Sequence, residues 1–141
     1  MLSRENLKKV LDESGRAWDE HDLEGVLKFM DEDVIFENWT GAKVRGKEAL
    51  RQAWRPWFAS HGGFHFSQED IFIDEAQQKV LFQWELRWPS NERGYEGRPE
   101  IRRGVDIYHF KDGKVFHKYT YSKTTVEIDG KRVKLSAEKK A

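Results

Sequence analysis

GVDIYHFKDGKVFHKYTY, residues 104–121, decides how the chain folds. Two runs of strand-forming residues meet at Asp112-Gly113, a strong short signal for a β-hairpin. In the first run Asp106 stands between Val105 and Ile107. A carboxylate in the middle of an apolar strand costs free energy unless something meets it there. Asp106 therefore marks either a functional interior or a structural ion pair. A two-residue loop sets Tyr119 opposite Asp106, whereas a three-residue loop with Gly113 as a bulge sets Lys118 there. In the second register Lys118, Thr120 and Ser122 join Asp106 inside; one residue of slip exchanges the faces.

Outward from this hairpin the period is two. Residues 80–88 read as a long strand with Phe82, Trp84, Leu86 and Trp88 on one face and Gln83, Glu85 and Arg87 on the other. Residues 64–73 form its neighbour across a polar turn. Residues 89–99 make a loop rich in Gly, Pro and charge, followed by strands 101–110 and 115–125. TVEI-DG-KRVKL predicts a further hairpin at Asp129-Gly130, and residues 136–141 a disordered tail. The mixed run from Arg98 to Arg103 reads as solvated.

The N-terminal third is helical. Ser3 can cap a helix whose buried stripe is Leu7, Val10, Leu11, Ala17 and Trp18. Asp22 can cap a short second helix with Leu23, Val26, Leu27 and Met30. A short strand at 34–36 and a polar loop at 37–41 follow. Lys47 then opens a third helix bearing Leu50, Ala53, Trp54, Trp57 and Phe58, which Pro56 is expected to kink or end near Arg55. Helices first and antiparallel strands afterwards predict an α+β fold. One domain is expected over 1–141, with a core at about 5–125 and a C-terminal hairpin and tail at 126–141. A strongly twisted sheet around a long helix leaves a conical cavity, here lined by tryptophan.

Composition narrows the function. Twenty-five Lys and Arg balance twenty-five Asp and Glu, so nothing suggests a polyanionic partner, and nucleic acid is not expected. The absence of cysteine removes disulfides, thiolate zinc sites and cysteine nucleophiles. No segment approaches the roughly 18 apolar residues of a membrane span, so no membrane partner and a cytoplasmic location are expected. There is no glycine-rich phosphate loop, serine elbow or nucleotide fingerprint, and no cofactor is expected. His61 and His65 have the spacing of a helical metal pair, but Gly62-Gly63 breaks the helix it needs; no metal is expected. His109 and His117 can meet across the hairpin without an acidic third ligand, which suits a surface or interface.

DEDVIFENWTG, RGKEALRQAW and GVDIYHFKDGKV, in that order behind two helices, resemble the nuclear-transport-factor-two-like superfamily in its SnoaL-like and ketosteroid-isomerase-like branch. The resemblance covers roughly residues 7–125. It implies a cystatin-like fold, a cone-shaped curved antiparallel sheet wrapped around helices with a deep pocket, and commonly a homodimer through the outer sheet face. Ketosteroid isomerases carry a protonated acid that Asp106 matches. Their general base matches Asn38, an amide unable to take the proton, and their oxyanion tyrosine matches Ser14. SnoaL-like cyclases carry a His-Trp-Asp run where this chain has Lys118, Tyr119 and Thr120. The Asp-Arg-Asp set of limonene-epoxide-hydrolase relatives has only Glu85 and Arg87 at the right spacing, on the face opposite Trp84.

Three functions follow. The first is a homodimeric domain binding a small apolar or aromatic molecule, with Asp106 and Lys118 as the reactive or anchoring pair. Trp18, Asn38, Trp54, Trp57, Phe82, Trp84, Tyr108 and Thr120 make its pocket. The second is a cofactor-independent isomerase, cyclase or lyase with Asp106 moving a proton. The third is a non-catalytic dimeric interaction module with a filled core, in which the aromatics merely pack.

Overall fold

The computed structural model describes residues 1–59 and 63–135. In chain order these form α1 (Arg4–Asp19), α2 (Leu23–Leu27), β1 (Met30–Glu37), β2 (Lys43–Arg45) and α3 (Lys47–Ala59). Six strands follow: β3 (His65–Asp74), β4 (Lys79–Pro89), β5 (Pro99–Lys111), β6 (Lys114–Ser122), β7 (Thr125–Ile128) and β8 (Lys131–Lys134). The tail at 136–141 and His61 lie outside the described residues. Ser3 caps α1 by accepting from the Asn6 amide at 3.1 Å, and Asp22 caps α2 by accepting from Gly25.

The strands make one curled sheet in the order β2-β1-β6-β5-β4-β3, with the β7–β8 hairpin attached to β5 at Glu100↔Ile128. One ladder departs from the expected antiparallel arrangement: β1 runs parallel to β6, through Ile35↔His117 and Phe36↔Lys118. Parallel neighbours need a long crossover, and α3, β3, β4 and β5 all lie between these two strands. Alternation along a strand reports its faces and not the direction of its neighbour. β1 is also longer than expected: it opens at Met30, which was expected on α2, and includes Asp31 to Asp33.

Pro56 does not end α3, which continues to Ala59. Gln52, Arg55 and Pro56 are all exposed, so the carbonyl that loses its amide partner faces water and the cost is reduced. Leu50, Trp54 and Phe58 keep the buried stripe and, with Leu7, Leu11 and Ala17 of α1, cover the concave face of the sheet.

The β5–β6 hairpin takes neither expected register. Its turn is the two-residue kind, with Asp112 at φ 51° and Gly113 at φ 79° joining Lys111↔Lys114. The pairing then slips from Phe110↔Val115 to His109↔His117, leaving Phe116 as an extra residue in β6. Thr120 comes opposite Asp106, and Lys118 comes opposite Tyr108. Lys118 and Thr120 are inside with Asp106, as the second register requires, but the bulge lies within the strand and not at Gly113. Ser122 sits opposite Gly104, only partly buried.

Gly104 fixes the shape of the concave face. A Cβ built there would collide with the Tyr121 carbonyl oxygen and with the Trp84 ring. The missing side chain lets the Trp84 indole lie across β5. Gly104→Ala is expected to cost about 2–3 kcal/mol, the upper end for overpacking a tight core. Urea unfolding checks the stability, and a changed near-ultraviolet circular dichroism spectrum checks the displaced indole.

Candidate ligand cavity

Alternation brings Glu100, Arg102, Gly104, Asp106, Tyr108 and Phe110 of β5 to the concave face. All but Gly104 are buried. Above them, between the sheet and helices α1 and α3, lies a cavity of about 710 Å³. Each of the ten residues singled out in the sequence lines it. α1 contributes Trp18, α3 contributes Trp54 and Trp57, and the loop after β1 contributes Asn38. Phe82 and Trp84 come from β4, Asp106 and Tyr108 from β5, and Lys118 and Thr120 from β6.

The polar groups at the floor are tightly partnered. The Trp84 indole donates to Asp106 Oδ1 at 3.0 Å, while Lys118 Nζ donates to Asp106 Oδ2 at 2.7 Å and to Thr120 Oγ1 at 2.9 Å. The Asp106 and Lys118 side chains are 8% and 6% exposed. The ammonium also stands 4.8 Å from the Phe36 ring centre and within 6 Å of Trp54 and Tyr108, where their π faces attract it. Both carboxylate oxygens thus have a donor, which leaves Asp106 poorly placed to take a proton from a substrate. Burial, and then the negative charge of Asp106, hold the Tyr108 phenol well above its ordinary pKa; it stays neutral and able to donate at pH 7. Asn38 is occupied by its own loop, its Oδ1 accepting from the Thr40 amide, the Thr40 hydroxyl and the Ala42 amide.

A second polar cluster overturns the expectation that the run from Arg98 to Arg103 is solvated. Arg102 is 1% exposed and Glu100 likewise 1%. Arg102 Nε donates to Glu100 Oε2 at 2.9 Å and Nη2 to Glu92 Oε2 at 3.2 Å. Glu100 also accepts from the Trp88 indole at 2.6 Å and from the Ser90 hydroxyl at 2.9 Å. The guanidinium centre lies 4.5 Å from the Trp39 ring and 5.6 Å from that of Trp88. Ion pairs at this depth survive only when the remaining polar positions are filled, and here the loop after β4 folds Glu92 and Ser90 inward to fill them. The signal was present in the sequence: alternation counted back from Asp106 puts 104, 102 and 100 on the inner face. Trp39, which also lines the cavity, packs with Trp57, Trp84 and Trp88 at centroid distances near 6 Å.

His65, Glu85 and Arg87 do not line the cavity. His65 pairs on the surface with Asp19, Nδ1 to Oδ1 at 2.6 Å. Among the described residues no cluster of three or more His, Cys, Asp or Glu could hold a metal ion. Glu85 and Arg87 bond to each other on the far side of β4, where Arg103 joins them.

A family model for the SnoaL-like domain matches residues 12–118, about three quarters of the chain. The protein belongs to the SnoaL-like family. Solved structures agree on the fold. A nuclear-transport-factor-two-like protein from Burkholderia pseudomallei superposes with a TM-score of 0.71 at 17% identity, covering 86% of this chain and 92% of its own. A Mycobacterium tuberculosis protein in complex with estradiol-17beta-hemisuccinate gives 0.68 at 23% identity, covering 82% and 92%. TerC co-crystallised with polyporic acid gives 0.68 at 15%, covering 84% and 92%. A search of curated proteins by sequence finds no match. Among the described residues of this SnoaL-like chain no helix is long and apolar enough to cross a membrane.

The Asp106–Lys118 pair sets a stability expectation. Lys118→Met strands a buried carboxylate and is expected to cost about 3–5 kcal/mol, whereas Asp106→Leu combined with Lys118→Met costs clearly less than the sum of the single changes. A double-mutant cycle by urea unfolding reads this directly; additive costs would show the pair to be uncoupled.

Proposed function

We propose that this SnoaL-like chain binds a small apolar or aromatic molecule in its cavity and acts without using Asp106 as a free base. The observation that carries this reading is the cavity itself. Its size lies within the range of ordinary ligand sites, and its walls are largely indole and phenyl, with the charges at its floor already paired. Bound molecules in two proteins of the same fold, estradiol-17beta-hemisuccinate and polyporic acid, lend support at the level of architecture. The enzymatic alternative, an isomerase, cyclase or lyase, would need the Asp106–Lys118 pair to open. The interaction-module alternative needs a filled interior, which the cavity volume opposes.

Trp18, Trp54 and Trp84 make the test direct. Titration with 1-anilinonaphthalene-8-sulfonate is expected to quench tryptophan emission and raise probe emission saturably. Thr120→Trp, which fills the floor, is expected to weaken the probe at least tenfold in a variant that still folds. Equal binding by the two proteins would place the probe elsewhere.

The proposal includes a homodimer through the convex face. There Phe72, Leu81, Ile107 and Tyr119 stand directly opposite one another across β3, β4, β5 and β6, forming one apolar row. Phe72 is 63% exposed, and Tyr121, also on this face, 53%. His109 and His117 flank the row with rings 5.6 Å apart. Burial, Lys79 and His117 hold the His109 pKa below its ordinary value, so it is uncharged at pH 7 and suits an interface. Sedimentation equilibrium is expected to give twice the chain mass at micromolar concentration. Ile107→Glu is expected to shift it to the single chain mass.

A further inference from the structure

Around the buried ion pairs the carboxylates already have donors: both oxygens of Asp106 and both of Glu100 accept from protein. Several donors beside them still have capacity. Lys118 uses two of its three N–H bonds on protein. Arg102 uses Nε and Nη2, and its Nη1 meets no described acceptor. The Tyr108 hydroxyl likewise bonds to no described residue. No fully buried side-chain nitrogen or oxygen among the described residues lacks a partner, so Arg102 Nη1 and the Tyr108 hydroxyl are not fully enclosed, and all three side chains line the cavity.

The donors fall at two ends. Tyr108 and Lys118 stand beside Asp106, while Arg102 stands four residues back on the same face of β5, ~13 Å away at the backbone for a rise of ~3.3 Å per residue. Between them the Trp84 ring lies over Gly104 as a flat apolar floor. The Arg102 guanidinium is clamped by two carboxylates and by the Trp39 face. It is oriented before any ligand arrives, so little conformational freedom is lost when its free edge is used.

Resting on the pocket reading above, we infer that Arg102 is a second anchor and a specificity-determining residue. The cavity selects an elongated, flat aromatic molecule with a neutral oxygen acceptor at each end, one meeting Tyr108 and Lys118 and the other Arg102 Nη1, with the ring on Trp84. Alkyl ends would leave charged donors dry, and amine ends would oppose them with like charge.

Three probes test this on the unaltered protein by tryptophan quenching: 2-ethylnaphthalene, 2-acetylnaphthalene and 2,6-diacetylnaphthalene. Each acetyl group is expected to tighten binding about tenfold, the effect of one hydrogen bond from a charged donor. In Arg102→Lys, which keeps the charge but loses the planar fork, the gain from the second acetyl is expected to fall below about twofold while the first is kept. That selective loss is something a purely structural role would not produce. If the diacetyl compound binds no tighter than the monoacetyl one, the second anchor is refuted and the pocket reading stands. If 2-ethylnaphthalene and both ketones all fail to quench, the pocket reading fails and the anchor with it. The wild-type comparison decides the matter even where Arg102→Lys does not fold.

Discussion

A carboxylate at the centre of a sheet has to be met from within the fold, and here it is met twice. Trp84 reaches Asp106 from β4 and Lys118 reaches it from β6. Each contact constrains a neighbouring strand. The indole can lie where it does only because Gly104 has no side chain, and the ammonium points inward only because β6 carries one surplus residue. Register, floor and charge balance are therefore one problem solved together. The apolar rings around the pair are what make it expensive to disturb.

The same economy governs the other end of the cavity. Glu100, Arg102 and Glu92 would be intolerable there singly, but together with Trp88 and Ser90 they satisfy one another. The network also ties the long connection between β4 and β5 to the sheet it leaves. Trp39 packs over this guanidinium and against Trp84, so the two polar clusters share a single aromatic wall. A ligand touching one side of that wall would be felt by both.

Most of the architecture was legible because it rests on short-range patterns. The cap at Ser3, the stripe of α3, the inward face of β4 and the turn at Asp112-Gly113 all follow from neighbours within a few residues. The candidate pocket residues were legible for the same reason. What escaped was set at longer range. The parallel partner of β1 depends on the path of the intervening chain, and the bulge at Phe116 has no composition to announce it. Arg102 was hidden by its company: surrounding charges suggested solvent, although counting from Asp106 placed it inward.

That surplus residue in β6 has a wider meaning. Without the bulge the same turn would bring the phenol of Tyr119 opposite Asp106, giving an interior without a counter-cation. With the bulge it brings in an ammonium. The electrical character of the chamber is thus decided by an integer, the number of residues left unpaired between turn and floor. A family built on this hairpin could change what its interior accepts by one insertion or deletion, leaving every helix and the whole outer surface as they are.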